Sequence, residues 1–404
     1  MNFDDFWCAI IMPMLGTVSK GILGTFVAGT TLLGGIYFAD VVHLGRTSYL
    51  LEEIGGTASS TEAMKEETPA WPLPLDKDDY DQRLLKLADY TPPKPETIVT
   101  PATASSSETT TVVTPPSPLV YGSDSNVTIA GKQWPPAAPY PNGGAILPFY
   151  RVLAYYGNLY SRQMGILGEY EPEEVLRRLA EERAKWEVAD PSTPVMPAIQ
   201  YIAIVAQASG GVDGMYRAVM PDTEIDKAYE MAQKAEGIFI LDVQVGLSSI
   251  ENELPKFKKY LIRPDVHFAI DPEFSMKYGE KPGTVIGTYD AKDINYVIDY
   301  LADIVRENKL PPKILVVHRF TQDMVTSSSK ITPRPEVQVV MDMDGWGSKD
   351  LKRGTYSHII VPEPVQFTGV KLFYKNDLKS PSTGLLTPFE VLSLHPKPIY
   401  IQYQ

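Results

Sequence analysis

The sequence contains a single cysteine, Cys8, among 404 residues. One cysteine cannot form an internal disulfide, so the fold does not depend on a disulfide framework. Cys8 follows Phe6-Trp7 without the small residues of a lipoprotein signal, which indicates an ordinary thiol close to the N-terminus. Histidine is also rare, with five residues, and no Cys-x-x-Cys pair is present, so the sequence gives little support to a zinc protein.

Basic residues are outnumbered by acidic ones, 37 to 50, which gives a formal net charge of −13. Nucleic-acid binding requires clustered Lys and Arg, so this balance argues against a nucleic-acid partner and is typical of a solvated acidic surface. The sequence also lacks a Walker loop, a Gly-x-Ser-x-Gly elbow and a dinucleotide fingerprint, so no cofactor is predicted.

Proline is abundant, with 35 residues, and many of them lie before residue 145. The stretch from Thr91 to Pro118 is rich in Pro, Thr and Ser and cannot bury enough apolar surface to fold alone. We therefore predict three parts: a membrane anchor at 1–45, an extended linker at 46–145 and a folded domain at 146–404. A short helix at Asp79–Ala88 is predicted within the linker.

An uncharged apolar segment extends from Gly21 to Phe38. Its 18 residues are enough to cross a hydrocarbon core of ~30 Å. Asp4 and Asp5 precede it and no Ala-x-Ala follows, which favours an uncleaved anchor over a signal peptide. Its many glycines allow close helix packing in lipid. We therefore expect a single-pass membrane protein with the folded domain on the periplasmic or extracellular side, and membrane-protein subunits as partners of the helix and linker.

After Pro148, short runs rich in Val and Ile alternate with amphipathic segments, which is typical of β/α units. Eight runs have strand character: Phe149–Tyr155, Val195–Ala203, Gly237–Asp242, Val266–Asp271, Lys313–His318, Val337–Asp342, Ser357–Val361 and Gly369–Tyr374. The intervening helices are predicted at Pro172–Trp186, Asp222–Lys234, Ile250–Tyr260, Ala291–Glu307 and Pro388–Leu394. Eight strands in about 255 residues predict an α/β fold, a (β/α)8 TIM-like barrel, with an open parallel sheet as the alternative.

Polar side chains are concentrated at the C-terminal ends of the predicted strands, where barrels of this type place their sites. Candidate catalytic residues are Asp242, Asp271, Glu273 and His318. Candidate substrate-binding residues are Tyr155, Tyr156, Gln207, Gln244, Asp342, Asp344, Trp346 and Tyr374. Paired carboxylates suit glycoside hydrolysis. Carboxylates with His318 can instead hold a divalent metal, and Lys371 can form a Schiff base, although pairing with a buried carboxylate is the more frequent role of such a lysine.

Several of these motifs resemble a family of uncharacterised bacterial exported or membrane-anchored proteins. The matching segments cover about residues 145–404 and include Tyr155-Tyr156-Gly157, Leu241-Asp242-Val243-Gln244, Ile270-Asp271-Pro272-Glu273-Phe274, Val317-His318-Arg319-Phe320 and Lys371-Leu372-Phe373-Tyr374. The resemblance implies a Pro/Thr-rich tether followed by a glycosidase-like TIM-barrel domain. It implies no reaction, because none is assigned to that family.

Two functions are consistent with the sequence. The first, which the glycine-rich anchor and the lack of a decisive catalytic motif favour, is a non-catalytic accessory or structural subunit of a membrane protein complex. The second is a membrane-tethered glycoside hydrolase that acts on an extracellular or cell-wall polysaccharide, with carbohydrate as its ligand.

Overall fold

The computed structural model describes residues 71–90 and 134–404, together with the short strands Thr97–Ile98, Thr111–Val112, Leu119–Tyr121 and Asn126–Ile129. The predicted anchor and most of the predicted linker lie outside the described residues. Within them, no helix combines the length and the apolar character needed to span a membrane. The anchor therefore stays a prediction.

Eight parallel strands form a closed barrel. They are β1 (Arg151–Gly157), β2 (Val195–Ala206), β3 (Ile238–Val243), β4 (Val266–Ile270), β5 (Lys313–Arg319), β6 (Val337–Met343), β7 (Phe367–Leu372) and β8 (Tyr400–Tyr403). Neighbours in this order pair in parallel, and β8 pairs with β1, with Tyr400 opposite Val152. Almost every strand residue is buried, as expected where helices cover the outer face of a parallel sheet. The predicted TIM-like barrel is confirmed.

Nine helices are found in the described part of the chain: α1 (Lys77–Leu87), α2 (Ile166–Glu169), α3 (Pro172–Ala189), α4 (Asp222–Lys234), α5 (Ile250–Glu253), α6 (Lys258–Leu261), α7 (Ala291–Asn308), α8 (Lys349–Thr355) and α9 (Pro388–Val391). Local chemistry fixes their ends. Pro172 occupies the first turn of α3, and Asp290 and Asp293 form a reciprocal capping box at the start of α7. The predicted helices agree with the structure, with two exceptions: Ile250–Tyr260 is divided by the 3-10 turn Leu254–Phe257, and Pro388–Leu394 ends at Val391.

One predicted strand is wrong. The run Ser357–Val361 lies mostly in a π-helix, Tyr356–Ile360, in which Tyr356 and Ile360 are buried and Ser357 and His358 are exposed. In a strand, His358 would share the buried face of Tyr356 and Ile360, but it is exposed, whereas a spacing of four residues between buried positions suits one face of a helix. The predicted Gly369–Tyr374 run is therefore the seventh strand, and the eighth is Tyr400–Tyr403, which the sequence analysis missed.

Segments before the barrel cover its N-terminal end. Helix α1 buries Tyr80, Leu84 and Leu87 in a cluster with Trp134 and Leu147. The same cluster contains inward-facing residues near the starts of the strands, among them Val152, Ala198, Ile238, Ile314 and Phe367. Two pieces of the predicted linker, 71–90 and 134–145, are therefore packed against the barrel. They close its N-terminal end, which leaves the C-terminal end as the accessible one.

Candidate active site

A buried imidazole lies at the centre of the barrel's C-terminal half. His318, near the end of β5, places Nε2 2.8 Å from Oδ2 of Asp242 on β3. Its Nδ1 lies 3.1 Å from Oδ2 of Asp344 and 3.4 Å from Oδ2 of Asp342. Burial alone lowers the pKa of His318, but Asp242 and Asp344 outweigh it and raise that pKa well above its ordinary value. Carboxylates facing both nitrogens favour the imidazolium form of His318.

Neighbouring strands fix the layer around His318. Gln200 on β2 donates from Nε2 to Oδ2 of Asp242 at 2.5 Å, and Tyr400 on β8 donates its hydroxyl to Oε1 of Gln200. Asp342 is the register partner of His318 in the β5–β6 pairing. Each of these side chains is fully buried. They form a sealed layer beneath the barrel mouth, from which solvent is excluded.

A second layer, closer to solvent, contains an ion pair. Lys371 on β7 places Nζ 3.1 Å from Oδ1 of Asp344 and 3.8 Å from the ring centroid of Tyr156. Burial raises the pKa of Asp344, but Lys371 and His318 outweigh burial, so the net pKa is below its ordinary value. Asp344 is therefore ionised at neutral pH. The expected pairing of Lys371 with a buried carboxylate is confirmed.

Two further carboxyl groups follow β4. Asp271 caps the 3-10 turn Pro272–Phe274: its Oδ1 accepts from the Glu273 backbone N–H at 3.1 Å, and its Oδ2 accepts from Nε2 of Gln244 at 3.1 Å. Burial, with repulsion from Asp344 and Asp242, raises the pKa of Asp271 to about 7 even though His318 lowers it. Burial, Asp271 and Asp344 raise the pKa of Glu273 well above its ordinary value. These surroundings favour the protonated form of Glu273.

The charge of this cluster explains these shifts. Five buried carboxyl groups (Asp242, Asp271, Glu273, Asp342 and Asp344) surround two buried cationic groups, His318 and Lys371. Two cations cannot neutralise five carboxylates, and unpaired charges are costly to bury. The excess negative charge is relieved when the carboxyl groups that are least stable as anions take up protons. Glu273 is such a group, because its Oε1 atom is buried without a hydrogen-bond partner among the described residues.

A cavity of about 500 Å³ opens above the ion pair. Its floor contains the carboxyl groups of Asp271, Glu273 and Asp344. Aromatic side chains form much of its wall: Tyr156, Phe274, Phe320, Trp346 and Phe373. Polar and charged side chains of the loops after β1 and β7 line its rim: Arg162, Gln163, Glu169, Lys375, Asn376 and Lys379. A cleft of this size can enclose several rings of a small molecule or a segment of a polymer.

The residues predicted from sequence divide into three groups. Those that line the cleft are Tyr156, Gln244, Asp271, Glu273, Asp344 and Trp346. Asp242, His318 and Asp342 lie in the sealed layer beneath and do not line the cleft, so their contact with a bound molecule is indirect. Tyr155, Gln207 and Tyr374 lie outside both groups.

Strand alternation explains why Tyr155 and Tyr374 are excluded. Adjacent residues of a strand point to opposite faces, so Tyr156 faces the barrel interior and Tyr155 the helices. The Tyr155 hydroxyl lies 3.0 Å from that of Tyr374, and both rings pack on Tyr403. Gln207 follows the end of β2 and its Nε2 donates to the Val205 carbonyl at 3.4 Å. None of these three residues lines the cleft, so the geometry does not support the substrate-binding role that the sequence predicted for them.

Several cleft residues were not predicted from sequence. Among them are Phe320, which follows β5, and Arg162 and Lys379, which belong to loops after β1 and β7. Loop residues show no periodicity, so the only available signal was their position just after a strand end. Among the described residues, no group of three or more His, Cys, Asp or Glu side chains has an arrangement that could hold a metal ion.

No protein-family model matches the sequence, and no curated protein matches it. Among solved structures, the chain is similar to a hyperthermophilic endo-beta-1,4-glucanase in complex with substrate. The identity is 9%, the TM-score is 0.30, and the alignment covers 62% of this chain and 88% of that one. A likeness this distant carries no argument about function, and the site must be interpreted from its own geometry.

Proposed function

We propose that the barrel is a glycoside hydrolase in which Glu273 is the general acid and Asp344 is the ionised carboxylate. One arrangement carries this proposal. Glu273 and Asp344 line the same cleft, but Glu273 is buried close to Asp271 whereas Asp344 lies 3.1 Å from Nζ of Lys371, and these surroundings displace the two pKa values in opposite directions. Glycosidases use a protonated and an ionised carboxyl group in this way, and environments that separate two such pKa values identify the acid and its partner.

The proposed reaction uses each group in its neutral-pH state. Glu273 donates its proton to the glycosidic oxygen as the bond from that oxygen to the anomeric carbon breaks. Positive charge develops on the sugar ring, and the Asp344 carboxylate stabilises it, either by attacking the anomeric carbon or by accepting a proton from an attacking water. If Asp344 attacks, water then breaks the ester bond between the sugar and Asp344, supplying the hydroxyl group of the new sugar end and the proton that restores Glu273. If Asp344 instead takes a proton from the attacking water, it releases that proton to solvent, and Glu273 takes up a proton from solvent.

The surrounding residues supply the two protonation states. Lys371 and His318 favour the anion of Asp344, whereas Asp271 disfavours the anion of Glu273 by repulsion. The aromatic wall offers flat apolar faces of the kind on which sugar rings stack. Tyr156 and Phe373 also border Lys371, whose Nζ lies 5.1 Å from the Phe373 ring centroid, and they keep the ion pair buried.

The test is Glu273→Gln in the full-length protein, assayed for new reducing ends on a panel of polysaccharides. Removing a general acid typically costs 10²–10⁴-fold in rate, so we expect a loss of that order on any polymer that the unmodified protein cleaves. Glu230→Gln, which changes an exposed glutamate on α4, is the matched control and should retain full activity. Equal rates for Glu273→Gln and the unmodified protein would refute the assignment.

The pH profile gives a second check. Activity should decline at alkaline pH as Glu273 loses its proton, and this limb should lie well above the ordinary glutamic acid value because the pKa of Glu273 is raised. The acid limb, from protonation of Asp344, should lie below the ordinary aspartic acid value because that pKa is lowered. Limbs near ordinary carboxyl values would contradict the roles of both residues.

The location and partners of the barrel are proposals that rest on the N-terminal sequence. The apolar segment Gly21–Phe38 supports a single membrane span with the barrel on the periplasmic or extracellular side, and its glycines support contact with other membrane subunits. Extraction in mild detergent and identification of copurifying chains tests the accessory-subunit hypothesis. A chain that purifies alone as a monomer would contradict it.

A further inference from the structure

We infer that the cleft binds an acidic polysaccharide whose sugar rings carry carboxylate groups, through Arg162 and Lys379 at its rim. The inference rests on the proposed function, since it names the substrate class of that site. It comes from the charges of the rim and the floor, which differ from those of the protein as a whole.

The rim carries three cationic side chains and one acidic side chain. Glu169 pairs with Lys375, with 2.8 Å between Oε2 and Nζ, so that pair is internally neutral. Arg162 and Lys379 are exposed, and neither forms an ion pair with any residue that the structure describes. Two uncompensated positive charges therefore remain at the rim, on loops that follow β1 and β7.

The floor of the cleft carries less negative charge than its three carboxyl groups suggest. Asp344 lies 3.1 Å from Nζ of Lys371, which offsets its charge. Burial raises the pKa of Asp271, to about 7, and that of Glu273, which favours their neutral forms and weakens the repulsion of a polyanion. The two positive charges at the rim contrast with the net charge of −13 of the protein as a whole.

Lys379 and an aromatic ring lie side by side. Nζ of Lys379 is 5.0 Å from the ring centroid of Trp346, which lines the cleft. A sugar ring stacked near Trp346 would bring a ring carboxylate within reach of this ammonium group. Arg162, from the β1 loop, offers a planar guanidinium that can pair with a carboxylate through two hydrogen bonds. This combination suits a uronic-acid polymer better than a neutral one.

The experiment measures binding in the full-length Glu273→Gln protein, which leaves the polymer intact. The probes are polygalacturonate, alginate and hyaluronan, each compared with its carboxyl-reduced, neutral form by affinity electrophoresis. We expect at least one acidic polymer to bind roughly tenfold more tightly than its neutral form, with the difference shrinking as salt screens the charges. Arg162→Gln with Lys379→Gln should remove most of that difference, because each exposed charge contact is worth up to about fivefold.

A matched control removes two positive charges from the other end of the barrel. Lys234 ends α4 and Lys309 follows α7, so both precede a strand and lie at the N-terminal face. Lys234→Gln with Lys309→Gln should leave binding unchanged. An equal effect of the two double variants would show a general charge effect and overturn the inference.

The remaining outcomes separate the two proposals. Equal binding of acidic and neutral forms, or no binding of any acidic polymer, overturns the inference and leaves the hydrolase proposal standing on its own assay. Selective binding that depends on Arg162 and Lys379, without cleavage of any polymer by the unmodified protein, supports the inference and overturns the hydrolase.

Discussion

Replacement of Asp271 by Asn should change the pH dependence of stability in a way that can be calculated from the site. The carboxyl group is buried and its pKa is raised from 3.8 to about 7. In the unfolded chain the Asp271 carboxyl group loses its proton near the ordinary pKa of 3.8, whereas in the folded protein it keeps the proton up to about pH 7. The unfolded state is therefore increasingly favoured as pH rises from 3.8 to about 7. The difference between 3.8 and about 7, at about 1.36 kcal/mol per pH unit, destabilises the native protein by about 4 kcal/mol above neutrality.

Asparagine does not titrate, but it does not reproduce every contact. Oδ2 of Asp271 accepts from Gln244, and an amide nitrogen in its place would set two donors against each other. Leaving such a buried group unsatisfied costs about 1–3 kcal/mol. Asp271→Asn should therefore be less stable than the unmodified protein by about 1–3 kcal/mol at about pH 4. At about pH 8 it should be more stable by a similar amount.

The assay is denaturant unfolding of the full-length protein in mild detergent, followed by tryptophan fluorescence at a series of pH values. The decisive quantity is the change with pH in the difference between the two free energies of unfolding, which should be about 4 kcal/mol across this range. Asp323→Asn, at an exposed aspartate, is the control and should show no such change. Parallel stability curves for Asp271→Asn and the unmodified protein would refute the argument that Asp271 holds a proton in the folded state.

Two further substitutions test the packing that supports the site. Gly369→Ala on β7 would place a Cβ 2.6 Å from Oδ1 of Asp342 and 2.9 Å from Cδ1 of Tyr400. We therefore expect a loss of about 1–3 kcal/mol in unfolding free energy. An unchanged denaturation midpoint would contradict this close packing. Lys352→Met would remove the cation that lies 3.0 Å from Asp377 and donates to the Lys371 carbonyl at 2.7 Å. The carboxylate of Asp377 would then be buried without its partner, and we expect a loss of about 3–5 kcal/mol in unfolding free energy. Adding Asp377→Asn should recover part of that loss, and strictly additive losses in the double variant would show that the two groups do not interact.

Much of the barrel could be predicted from sequence because seven of its strands are almost entirely buried and rich in apolar residues. Tyr400–Tyr403 could not, since four residues after two prolines give no measurable periodicity, and what defines the strand is its pairing with β7 and β1. Ser357–Val361 has the composition of a strand and is mostly helical, because a short apolar run does not by itself distinguish the two.

The site shows a similar limit. Position after a strand was enough to locate Asp271, Glu273 and Asp344 at the barrel mouth. Spacing could not tell that Asp342 is sealed beneath the mouth while Asp344, two residues later, faces the cleft. That difference depends on the position of each side chain along the barrel axis and on the position of the Lys371 ammonium group, which comes from β7. No local pattern of residues specifies either position.

The pairing of β8 with β1 also has a consequence for how the domain is made. Its partner residues, Tyr400 and Val152, are separated by almost the whole domain, so the barrel cannot close until synthesis has passed residue 403. Until then β1 and β7 each present an unpaired edge, and such edges readily join with other chains. A sheet that formed before Tyr400–Tyr403 was synthesised would expose both edges to aggregation, and pairing of these four residues with β7 and β1 would cover both edges.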